Sequence, residues 1–118
     1  MQHRGISAAA GVIVLSGAAM ALAAAAGGDP ASCVPACDCE AVGGGSIAQP
    51  ANAWTAVAFV AVGGWVAVRQ PILGALIALV GVSAFAAHTT VSGWAYRAEG
   101  GVLAGAAWAL AAGASRRS

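Results

Sequence analysis

Lysine is absent from this chain, and acidic residues number four in 118. There is one tyrosine, two phenylalanines and five arginines. Charged side chains make up 8% of the sequence, where a soluble domain carries about 25%. So few charges cannot cover a water-facing surface of this size, which excludes a soluble globular domain and points to a membrane protein. A formal charge of +1 supplies no clustered basic face for a phosphate backbone, so a nucleic acid partner is not expected. No internal repeat stands out, and the low complexity is apolar Ala- and Gly-rich sequence, unlike a disordered polar tract.

Hydrophobic residues account for 60% of the chain, and they fall into runs. Ile6 to Ala26 is uncharged and preceded by Arg4; at roughly 21 residues it can cross a hydrocarbon core as a helix. Residues 1–28 therefore read as an uncleaved transmembrane anchor. The alternative is a secretory signal, with a cleavage-like Ala24-x-Ala26. Residues 29–50 form an exported, polar, Cys- and Gly-rich loop in which Gly43, Gly44 and Gly45 make a flexible joint. Residues 51–118 form a helical bundle with spans over about 51–68, 72–88 and 97–114, Pro50 and Pro71 standing where a first-turn N–H needs no partner. The expected fold is all-α, a polytopic bundle of three to four transmembrane helices.

With a cytoplasmic N-terminus, four spans place Arg4, Arg69, Arg116 and Arg117 inside and Arg97 outside, in agreement with the positive-inside rule. Both termini are then cytoplasmic, and the cysteine loop shares the outer face with residues 89–100. Trp54, Trp65 and Trp94 near span ends fit an aromatic belt, and Trp108 fits it less clearly. Gly63-Gly64 and Gly101-x-x-x-Gly105 offer flat surfaces for helix packing.

Polarity concentrates in residues 37–60. Cys33, Cys37 and Cys39 in an exported loop allow a disulfide between the first two; a metal reading of Cys-x-x-x-Cys-x-Cys lacks a fourth ligand nearby. Asp38, Glu40, Gln49 and Asn52 supply the hard oxygen donors that calcium prefers. The alternative is a solvated loop whose Gln49 and Asn52 cap the following helix. His88 closes an apolar span, where an ionisable side chain is costly and marks a functional site by default. Glu99 lies eleven residues on, across a turn. A histidine and a carboxylate begin a zinc site, yet catalytic zinc takes three protein ligands and a water. His3, the other histidine, belongs on the opposite side of the membrane. Without a metal, His88 would bond Thr89, Thr90 or Ser92.

The run Cys39-Glu40, Ile47-Ala-Gln-Pro-Ala-Asn-Ala-Trp54, Ala58-Phe-Val60 and Gly63-Gly64 resembles the opening of bacterial alkaline-ceramidase-like proteins of the CREST superfamily, seven-helix membrane hydrolases. Gly81-Val-Ser-Ala-Phe-Ala-Ala-His88 is similar to the end of that family's second span. The resemblance covers residues 37–100. It implies a calcium site on Asp38, Glu40, Gln49 and Asn52, and a zinc site with His88 as ligand and Glu99 as ligand or orienting carboxylate, acting on a lipid amide bond. Two features depart from the pattern. The family serine falls at Ala84, with Ser83 one place off, and the His-x-x-x-His pair of the last family span is missing, as in a relative truncated after the third family helix. A homo-oligomer or a second membrane chain would then supply the absent ligands, among membrane lipids, in a bacterial inner membrane. The rival expectation is a non-enzymatic small membrane subunit whose exported Cys loop contacts a partner.

Overall fold

A computed structural model of the chain describes residues 2–27 and 45–115. Asp38, Glu40 and the three cysteines lie outside the described residues. The described part is all-α: α1 (Gln2–Ala26), α2 (Pro50–Ala67), α3 (Pro71–Thr90) and α4 (Gly93–Ser115). Three helical stretches, His3–Ala26, Pro50–Ala67 and Pro71–Thr90, are long and apolar enough to cross a bilayer, and the protein is an integral membrane protein. α4 has 23 residues, enough length for a span, but it is not apolar enough to join that set. It starts earlier than the span expected at 97, at Gly93, and so takes Trp94, Tyr96, Arg97 and Glu99 into its first two turns.

Both α2 and α3 begin on a Gln-Pro step, with Gln49 and Gln70 at the N-cap and proline in the first turn. Neither glutamine side chain caps its helix. Proline fixes a helical φ where an N–H would be orphaned in any case, which is why the two starts fall where the sequence puts them. α3 ends on Val91, a buried residue with φ 50 and ψ 29, whose N–H bonds the Ala87 carbonyl. A left-handed β-branched residue is strained by roughly 1–2 kcal/mol. Here it completes the αL stop that glycine usually provides.

Packing between α2 and α3 rests on small residues. The buried face of α2 runs Ala53, Ala56, Val60, Gly63, Ala67, and that of α3 includes Gly74, Ala78, Gly81 and Phe85. Steps of three and four residues alternate along both, the rhythm of a left-handed crossing. A Cβ placed on Gly63 would lie 2.6 Å from the Gly74 carbonyl oxygen, and one on Gly81 would lie 2.8 Å from the Ala56 carbonyl oxygen. The backbones are therefore in direct contact, as expected where lipid gives no hydrophobic drive and close packing must hold the helices together. Gly64, next along α2, faces Ile13 of α1 instead. The two glycines of the pair serve different helices.

α3 is the hub, packed against α1, α2 and α4, while α1 touches α2 and α3. α4 runs back along α3, since Ala109, Leu110 and Gly113 share a groove with Gln70, Ile72 and Leu76. The bundle thus has two ends. One gathers the start of α1, the α2–α3 turn and the close of α4; the other gathers the starts of α2 and α4 with the close of α3.

Candidate functional site

At the second end, the last carbonyls of α3 have no partners within their own helix. The segment before α2 supplies them: the Gln49 N–H donates to the His88 carbonyl at 2.9 Å and the Ala48 N–H to the Thr89 carbonyl at 3.1 Å. These two bonds draw Gln49 into the interior, where it is fully buried. A buried amide must find partners. Its Oε1 lies 2.8 Å from Nδ1 of His88 and accepts from the Tyr96 hydroxyl at 3.3 Å. The His88 and Tyr96 rings meet edge to face, at 6.0 Å and 90°. Three helices are joined through one side-chain oxygen.

That oxygen sets the chemistry of His88. An amide oxygen only accepts, so Nδ1 must carry the ring hydrogen and the neutral ring's lone pair is on Nε2. A metal-ligating histidine usually gives its far ring N–H to a carbonyl in this way, and the same bond orients a general base. Gln49 is thus a partner of His88 that the sequence did not point to. Thr90 Oγ1 instead donates to the Ala86 carbonyl and meets Ser92 Oγ at 2.9 Å. Among the described residues the buried Thr89 hydroxyl has no hydrogen-bond partner.

Gln49 is likewise not the helix cap considered from sequence, since its side chain has turned inward. A calcium ion at Oε1 would have to displace one of the two donors that point at it. Asn52 stands half-buried in the first turn of α2, its backbone carbonyl accepting from Thr55 Oγ1 at 2.7 Å. Glu99, half-buried, is three residues beyond Tyr96 and so one turn further along the same side of α4. Ser83 donates to the Val80 carbonyl at 3.0 Å. Five residues before His88, it lies on a different side of α3, whereas Ala84 is one turn below His88. His3 is at the opposite end of the bundle, near Gly5, which packs against the Val68 carbonyl. Among the described residues no three His, Cys, Asp or Glu side chains gather as a metal site.

An apolar groove of about 540 Å³ opens nearby between α1 and α2, lined by Met20, Ile47, Trp54, Val57 and Phe85. Trp54 and Phe85 pack edge to face at 6.0 Å. Phe85 is one turn before His88, so the groove ends close to the polar junction.

Sequence reasoning singled out Gln49, His88 and Glu99 but gave Tyr96 no role. The available signal was slight: it is the single tyrosine of the chain, placed one helical turn from Glu99. No protein-family model, curated protein or solved structure matches the chain.

Proposed function

We propose that this chain is a membrane protein related to the N-terminal part of ceramidase-like, zinc-dependent lipid amidohydrolases, with His88 as its metal-binding position. The observation that carries this reading is the 2.8 Å contact between His88 Nδ1 and Gln49 Oε1, which directs the lone pair of the ring to Nε2. The apolar groove ending one turn from His88 suits a lipid substrate. In the proposed orientation both termini face the cytoplasm and the His88 end faces outward across a bacterial inner membrane, as the arginine distribution favours.

Zinc would polarise an amide carbonyl and activate water. The described residues do not by themselves fit that ion, because His88 and Glu99 fall short of three protein ligands. No hydrolytic step is assigned to them. What they do is specific: Gln49 fixes the ring plane and tautomer of His88, Tyr96 backs both, and Glu99 brings a carboxylate to the same side of α4. The remaining ligands come from outside the described residues or from a second membrane chain. Calcium belongs to this proposal only through Asp38, Glu40 and Asn52.

The incomplete donor set also favours a second reading, a non-enzymatic membrane subunit in which the same junction is structural and the Cys loop meets a partner. Zinc content separates the two. The purified protein should carry zinc that His88→Ala removes. Equal, negligible zinc in both would leave the subunit reading.

A further inference from the structure

The opposite end of the bundle carries an asymmetry that the His88 site does not explain. Gly5 of α1 packs so closely on the Val68 carbonyl that a Cβ there would run into it. The residues flanking this contact are Arg4 and Arg69, both exposed. The contact therefore sets Arg4 of α1 and Arg69 of the α2–α3 turn on neighbouring stretches of backbone. Arg69 also lines a concavity of about 420 Å³ together with Trp65, Val66, Val68 and Gln70. Trp65 is 78% exposed there, the position of an indole at the level of lipid headgroups.

Among the described residues Glu99 is the one acid, and it stands at the other end of α4 beside Arg97. The Arg4–Arg69 end therefore has two cations and no described carboxylate, while the His88 end has one of each. Two arginines on adjoining backbone at one end of the bundle, Arg69 sharing its concavity with an amide donor and an indole, suit an anionic partner with several acceptor oxygens. Phosphate has that chemistry.

We propose that Arg4 and Arg69, with Gln70 and Trp65, form a binding site for the headgroup phosphate of an anionic phospholipid. The site holds one lipid of the leaflet at this end of the bundle, its acyl chains lying along the apolar surfaces of α2 and α3. Arg69 takes the phosphate oxygens with its planar fork; Arg4 closes over it from α1. The proposal is independent of any metal at His88.

The test uses the full chain with Trp54, Trp94 and Trp108 each changed to Phe, leaving Trp65 as reporter, in vesicles of mixed phosphatidylglycerol and phosphatidylcholine. Brominated phosphatidylglycerol should quench Trp65 at a lower mole fraction than brominated phosphatidylcholine. Arg4→Gln or Arg69→Gln should each weaken that preference about fivefold, the effect of one basic side chain at an anionic surface, whereas Arg97→Gln should leave it intact. Gly5→Val keeps every charge but pushes α1 away, and it should weaken the preference as well. Equal quenching by the two lipids in the parent protein overturns the proposal, whatever the variants do. A preference that survives Gly5→Val and Arg69→Lys in full would show diffuse charge attraction and overturn the paired site. Loss of the preference on adding millimolar inorganic phosphate would make a soluble phosphate the ligand, and so overturn the lipid as its source.

Discussion

Gln49 and His88, 39 residues apart in sequence, are joined twice: by a backbone bond of 2.9 Å and by a side-chain contact of 2.8 Å. The backbone bond brings the start of α2 to the end of α3, and the side-chain bond fixes the imidazole. The side-chain contact depends on the backbone bond, because the buried amide reaches the ring only after the chain has docked on the carbonyls of α3.

Replacing Gln49 should therefore cost more than losing a surface amide. Gln49→Leu leaves the His88 Nδ1–H and the Tyr96 hydroxyl without their shared acceptor, a penalty of about 1–3 kcal/mol. Gln49→Glu keeps an acceptor at the same reach and should retain more of the stability. Unfolding in a denaturing detergent titration would rank the two, and equal losses would contradict the acceptor role.

Tyr96 contributes through its ring and its hydroxyl, and the two can be separated. Tyr96→Phe removes one 3.3 Å bond and is expected to lower stability by about 0.5–1.5 kcal/mol. Tyr96→Ala also removes the edge-to-face contact with His88 and should lose more. A phenylalanine variant as damaged as the alanine variant would mean that the hydroxyl alone matters.

The glycines make a sharper contrast. Gly63→Val would force apart backbones already in contact, whereas a Cβ on Gly105 meets nothing within 4 Å. Overpacking of this kind costs about 1–3 kcal/mol or more when backbone must move. Gly63→Val should thus destabilise the bundle clearly, and Gly105→Val should be near neutral by the same titration. A reversed order would place the α2–α3 seam elsewhere.

The all-α membrane fold was legible because it depends on composition and run length alone. Proline marked the starts of α2 and α3 for a local reason, its fixed φ. The buried faces were not legible. α2 and α3 are apolar nearly all round, so hydrophobic periodicity is flat, and the 53–56–60–63–67 rhythm emerges only in who touches whom. The glycines show the same limit: Gly63-Gly64 is used by two different neighbours, while Gly101 and Gly105 face open space. Gln49 and Gln70 occupy matching Gln-Pro steps, yet one is fully buried and the other exposed. The difference comes from tertiary docking on α3, which no local pattern encodes. His88 was visible as a polar residue ending an apolar span; its partner, and Tyr96 beside it, required the fold.

The position of one hydrogen atom decides the metal-binding role of His88. If Gln49 Oε1 holds His88, the neutral imidazole must be protonated at Nδ1, with its lone pair on Nε2. Nitrogen-15 spectroscopy of the histidine-labelled protein in detergent, with His3→Gln to leave a single ring, distinguishes the two nitrogens directly. Nδ1 should carry the hydrogen in the parent protein, and that form should no longer dominate in Gln49→Leu. A neutral His88 protonated at Nε2 would contradict it, turning the Gln49 amide around and removing the lone pair on which the metal-binding role depends.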